Sequence, residues 1–226
     1  MLSKVQNSEE FHSSLFYWEI IGNAFAFLAN ILNNQPNEMI LAELYQSSNK
    51  GSFLEKKESP YQLISLYLKN NQNKPTAELL QELAIDWTRL FRGVSPSYGP
   101  QPPYAGVYYS EDGVGVHTMT AITHIFASHD LSPKSDKHNR VDYLGVLLEF
   151  VSILSNRAAQ EAELGNLAAV ESLRVEILNF LENYISPWLN TFIDQALEYA
   201  KTDFFKGYLG MLSESIKETI TLIKIN

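Results

Sequence analysis

Apolar residues in this chain recur three and four positions apart almost everywhere, the period of an α-helix with one buried face. The pattern predicts a first helix over 8–33, with Ser8 as N-cap, Glu9 and Glu10 in its first turn and Pro36 beyond its end. Shorter helices are predicted at 37–47, 60–71 and 76–91, the last capped by Thr76 with Glu78 close behind. Pro60 and Pro75 punctuate the gaps, and the polar stretch from Ser47 to Ser59 reads as a loop. Thr118 to His129 reads as a short helix, and Asp130 to Asn139 as a polar connector.

Val141 to Leu154 is apolar on almost every face, which marks a central helix wrapped by its neighbours. Gly165 and Asn166 break the chain, after which Val170, Leu173, Ile177, Leu181 and Tyr184 keep helical spacing. Ser186 and Pro187 restart a helix through Trp188, Phe192 and Leu197. Thr202 or Asp203 caps a last helix whose stripe is Phe205, Tyr208, Leu209, Leu212, Ile216 and Ile220. No alternation of period two lasts more than a few residues, and no internal repeat is present. The expectation is an all-α, single-domain helical bundle over residues 1–226, with one long Pro/Gly-rich loop and a hinge near 130–139.

That loop is the least ordinary part of the chain. Between Asp86 and Tyr109 lie four of the nine prolines and three of the eleven glycines. Proline fixes φ and removes a donor, so such a loop is stiff and cannot satisfy itself by helix or sheet pairing. It also carries Tyr98, Tyr104, Val107, Tyr108 and Tyr109, directly after a helix end bearing Trp87, Leu90 and Phe91. Trp87, Leu90 and Phe91 each fit a core position as well as a binding one. Loop aromatics fit the core less well, because connections run over the surface. A preorganised apolar loop of this kind suits the reception of another chain.

Composition narrows the function. With 226 residues the chain supports one substantial core, or two lobes sharing helices, but not two ordinary domains. The absence of cysteine excludes disulfides, thiolate zinc sites and cysteine nucleophiles. A formal charge of −9, with scattered basic residues, argues against nucleic acid as partner. No apolar run approaches the roughly 20 residues of a membrane span, and the N-terminal stretch does not read as a secretory signal. A soluble, cytoplasmic protein without stable membrane insertion is expected.

Chemistry is harder to find. The five histidines form no HExxH, although His117 and His124 would share a helix face. There is no GxSxG elbow and no phosphate-binding GxxxxGK[ST] motif. No catalytic residue, metal or cofactor is therefore assigned.

At the loop the sequence resembles the TorD/DmsD family of chaperones for molybdenum-containing redox enzymes. The residues that carry the likeness are Trp87-Thr88-Arg89-Leu90-Phe91, then Gly93, then Pro102-Pro103-Tyr104-Ala105-Gly106-Val107-Tyr108. Asp142 to Phe150 is similar to the family's Asp-His-Leu helix, and Trp188-Leu189 to Tyr208 to its C-terminal Trp-Leu region. One departure stands out. Where the family often has Glu-Pro-x-Asp-His, this chain has Asn139, Arg140, Val141, Asp142 and Tyr143, so only Asp142 is kept.

The resemblance implies a cytoplasmic chaperone that binds the twin-arginine signal peptide, the apo-catalytic subunit, or both, of a molybdopterin-containing oxidoreductase, as a monomer or a domain-swapped dimer. It implies a peptide-binding groove at Trp87, Leu90, Phe91, Pro102, Pro103, Tyr104 and Tyr108, with Asp142 as an acidic contact. Asp86 and Glu149 are further candidates for charge. Two rival readings stand beside it: a helical adaptor that docks a folded partner, and a small all-α metal-dependent hydrolase built on His117, His124 and Asp142.

Overall fold

A computed structural model describes residues 2–49, 59–93, 97–109, 115–132 and 140–225, with side chains described from residue 16 onward except at 47–49 and 109. The chain orders as α1 (Leu2–Asn33), α2 (Glu38–Asn49), α3 (Pro60–Asn70), α4 (Thr76–Phe91), α5 (Ala105–Tyr109), α6 (Val116–Ser128), α7 (Leu144–Glu163), α8 (Leu167–Phe180), α9 (Ser186–Tyr199) and α10 (Asp203–Ile225). Among the described residues the only extended pairing is an isolated antiparallel bridge between Tyr104 and Tyr143. The all-α class is the one the periodicity predicts.

Several boundaries differ from the sequence reading, each for a local reason. α1 begins at Leu2, so Ser8 lies inside the helix rather than capping it. Pro75, not Thr76, holds the N-cap position of α4, and its carbonyl accepts from the amides of Glu78 and Leu79 at 3.0 Å each. α7 starts at Leu144 rather than Val141, because the backbone just before it is occupied elsewhere. Asp142 O accepts from Ala105 N at 2.9 Å, and Tyr143 pairs with Tyr104. The expected loop over 47–59 and connector over 130–139 fall largely outside the described residues.

A five-residue π-helical turn, Leu181–Ile185, joins α8 to α9. Pro187 supplies the cause. Its ring would clash with the carbonyl four residues back in a regular α-helix, and it has no N–H to donate, so the helix widens just before it.

The chain divides into two compact units. The first comprises Met1–Asn33, Tyr104–Pro187 and Ile216–Asn226, and the second Asn34–Pro103 and Trp188–Ser215. In the first unit α1 packs along α7. α1 buries Trp18, Ile21, Phe25, Leu28 and Leu32, a single stripe at steps of three and four. α7 is buried on most of its faces, as its uniform apolarity predicts, and Ser152 Oγ donates to Gly22 O at 2.8 Å across the helix pair. Beside it, Phe150 stacks on Phe126 with centroids 4.6 Å apart and meets the tilted ring of Phe180 at 4.7 Å.

In the second unit α4 buries Leu79, Leu83, Asp86, Trp87, Leu90 and Phe91. Phe91 is the centre of an aromatic cluster. Trp87, Phe192, Phe205 and Tyr208 surround its ring at centroid distances of 6.3, 6.3, 5.6 and 6.1 Å. Tyr67 meets Phe204 at 6.2 Å and donates its hydroxyl to Glu82, which also pairs with Lys74.

Candidate functional site

The sequence motif around the proline loop separates into two sets, one in each unit. In the second unit, Trp87, Leu90 and Phe91 are buried to within a few per cent. They do not line an open groove; they are the core onto which α9 and α10 pack. Their spacing on α4 put them on one face, and that face points inward. Asp86, on the same face, is likewise no contact for a visitor. Its carboxylate accepts from Thr202 N and Thr202 Oγ1 at 2.8 Å each, from Lys201 N at 3.1 Å and from Arg89 Nη1 at 2.6 Å. Thr202 Oγ1 in turn accepts from Phe205 N at 3.3 Å, so the start of α10 is capped by Thr202 and locked by Asp86.

What this unit does expose is the loop itself. Gly93 has a φ of 63°, a left-handed conformation that glycine adopts without strain, and it turns the chain out of α4. Pro102 packs back on the same point, where a Cβ would lie 2.9 Å from its Cγ. Pro103 is buried and Pro102 half-buried. Between them and Gly93 the loop presents Tyr98, whose ring is 71 % exposed.

A cleft lies on each side. One, of about 470 Å³, is bounded by Tyr98, Gln35 and the outer face of α4 at Gln81, Ala84, Ile85, Thr88 and Arg89. The other, of about 410 Å³, is bounded by Gly99, Pro100, Pro102 and, on α9, Gln195, Glu198 and Tyr199. Ile85 is 55 % exposed on the floor of the first. The sequence reading missed Ile85, although it stands off the Leu79–Leu83–Leu90 stripe, the signal that could have found it. Nothing in the sequence brings α9 to the loop.

In the first unit, Tyr104, Tyr108 and Asp142 form the second set. Asp142 is fully buried. Arg140 grips it in bidentate fashion, Nε to Oδ1 at 2.9 Å and Nη2 to Oδ2 at 2.7 Å, and Gly106 N donates to Oδ2 at 2.9 Å. Those hydrogen bonds hold the Arg140 guanidinium above its usual pKa range. The same guanidinium lies 5.1 Å over the Tyr104 ring, which packs 5.2 Å from Tyr143, and Tyr143 donates its hydroxyl to Leu32 O at 2.8 Å.

Asp142 is thus satisfied from within the chain, and its predicted role as an acidic contact is replaced by that of an anchor. The residue that closes it is Arg140, at one of the positions where this chain departs from the family pattern. Tyr104 and Tyr108 are half-buried, and burial raises the Tyr108 pKa, so its hydroxyl stays protonated throughout the neutral range. Glu149 is exposed on α7 and accepts from Asn33 Nδ2 at 3.4 Å.

The anchor explains why the motif carries glycine. A Cβ on Gly106 would lie 2.9 Å from Asp142 Oδ2, 3.0 Å from Arg140 Nη2 and 2.7 Å from Gly115 Cα, so the anchor and the start of α6 leave no room for a side chain there. Asp142→Ala would remove the carboxylate that accepts from Gly106 N and from Arg140 Nε and Nη2. An expected loss of about 2 kcal/mol, read as a lower midpoint in thermal or urea unfolding, checks this. An unchanged midpoint would return Asp142 to the pool of contact residues.

The hydrolase reading receives no support from this arrangement. His117 and His124 are exposed on α6, Asp142 is enclosed, and among the described residues no three acidic or histidine side chains come together as a metal site. Also among the described residues, no helix is long and apolar enough to cross a membrane.

Two comparisons with known proteins bear on the site. Residues 54–194 match the family described as nitrate reductase delta subunit. Over 132 residues the chain is 25 % identical to a chaperone protein TorD from Vibrio vulnificus strain YJ016, an alignment that covers 58 % of this chain and 59 % of that protein. The chain therefore spans about three fifths of that relative's length.

Proposed function

The chain belongs to the nitrate reductase delta subunit family, and from that premise we propose that it is a chaperone for the maturation of a molybdopterin-containing oxidoreductase. It holds the apo-catalytic subunit, including its twin-arginine leader, until the cofactor is loaded. The contact surface for the body of that subunit is the stiff loop at 97–103 with the clefts on its two sides, not the buried Trp87-Leu90-Phe91 motif beside it. That motif serves as the rigid base from which the loop projects.

The observation that carries this reading is Tyr98. A tyrosine at 71 % exposure on a proline-braced loop keeps an amphipathic ring available with little conformational freedom left to lose. Ile85 beside it supplies aliphatic surface, and Glu198 at the edge of the other cleft supplies negative charge. Aromatic side chains in such positions commonly dominate the energetics of protein contacts.

The test is a substitution that the fold tolerates. Tyr98→Ser should leave the thermal midpoint within the spread of surface substitutions, about ±0.5 kcal/mol in stability. It should weaken binding of the apo-subunit about tenfold or more. Unchanged affinity for a client that the wild type does bind would move the contact surface elsewhere.

A further inference from the structure

A third concavity in the second unit is absorbed neither by the loop nor by the family motif. α3 and the first half of α10 border a groove of about 720 Å³. Leu63 and Leu66, 41 % and 54 % exposed along α3, give it an aliphatic strip, with Gln62 and Ser65 beside them. On α10, Gly210 lies against Pro60, where a Cβ would come 2.8 Å from Pro60 Cβ, and Gly207 lies 3.1 Å from Leu63 Cβ by the same measure. The two helices run in opposite directions, since Tyr67 near the end of α3 meets Phe204 near the start of α10, while Pro60 meets Gly210.

That direction sorts the charges. Lys69 and Lys206 stand at one end of the groove and Glu214 at the other. Lys206 also pairs with Asp203 at 2.9 Å, which uses one of its three donors.

We propose that this groove seats the short apolar helix of the client's leader, with its basic N-terminal flank at Glu214 and its C-terminal turn between Lys69 and Lys206. The partner in this inference rests on the chaperone reading; the place and the polarity rest on the groove. An apolar helix face lays residues spaced three and four apart into such a furrow. A helix carries partial positive charge at its N-terminus and partial negative charge at its C-terminus, and the groove offers the complementary sign at each end. Arginines that precede the apolar segment add full charge at the Glu214 end, where a carboxylate can accept them in bidentate geometry. A helix seated the other way would meet like charge at both ends.

Fluorescence anisotropy with two labelled peptides of equal composition tests this. One carries two arginines before a twelve-residue apolar helix, the other carries them after it. The first should bind the wild type about fivefold or more tightly than the second, and less so as salt rises. Leu66→Asp should weaken the first peptide about tenfold, and Glu214→Lys should abolish or invert the preference between the two. Both substitutions fall on exposed positions, and circular dichroism checks that the fold is kept.

If the first peptide binds but neither substitution alters it, the groove is not its seat, while the chaperone reading stands. If neither peptide nor a full-length leader binds the wild type, the chaperone reading fails and takes this inference with it. A dimer that Leu66→Asp dissociates, with no change in peptide affinity, would give the groove to a second copy of the chain and overturn the proposal.

Discussion

Phe91→Ala is expected to cost about 3–5 kcal/mol of stability and so to lower the thermal midpoint by roughly 10 °C. Phe91 has no exposed surface, and four aromatic rings surround it at 5.6 to 6.3 Å. Truncation removes the transfer free energy of the ring and leaves a cavity that helices crossing at fixed positions close only in part. Edge-on ring contacts, each worth about 0.5–1.5 kcal/mol beyond area burial, are lost as well. Phe91→Leu keeps most of the volume and should cost less than half as much. A groove residue would behave differently: Phe91→Ala would weaken client binding while leaving the midpoint nearly unchanged. Unfolding of the two variants, followed by circular dichroism, separates the alternatives.

Asp86→Ala is the second large effect, of about 3–5 kcal/mol. One carboxylate here satisfies two backbone amides, a hydroxyl and a guanidinium, all gathered at the start of α10. Its removal leaves Thr202 N–H buried without an acceptor and takes from Arg89 the partner that neutralises it. Asp86→Asn preserves the shape but turns an NH2 group toward donors, so it should recover only part of the loss. The effect is local before it is global. Amide exchange at Phe205 and Lys206 should accelerate in Asp86→Ala before the amides of α7 are affected. Uniform acceleration along the chain, or none at α10, would remove Asp86 from its role as anchor of that helix.

These two residues show where sequence reading stops. Period 3.6 placed Trp87, Leu90 and Phe91 on one face of α4, and it placed nearly all of α7 inside; both are properties of local spacing. It could not say whether the α4 face meets the interior or a visitor, since a core stripe and a binding stripe have the same composition. The answer lies in Phe192, Phe205 and Tyr208, about a hundred residues away in sequence.

The carboxylates repeat the lesson. Asp86 is held by Thr202, 116 positions away, which no local pattern announces. Asp142 is held by Arg140, two positions away, so this pairing, unlike that of Asp86, lies within reach of local sequence. The stiffness of the proline loop was legible because proline and glycine act through their own covalent geometry. The five-residue helix after Pro103 was not, because it depends on Asp142, whose backbone carbonyl and carboxylate receive its first amides.

The most direct test is the affinity of this protein for the leader-bearing apo-catalytic subunit of the molybdoenzyme proposed as its client, measured by calorimetry for the wild type and for Tyr98→Ser. Micromolar or tighter binding by the wild type, roughly tenfold weaker binding by the variant, and thermal midpoints that coincide are expected. No complex with the apo-subunit, or equal affinity in both proteins, would contradict this expectation.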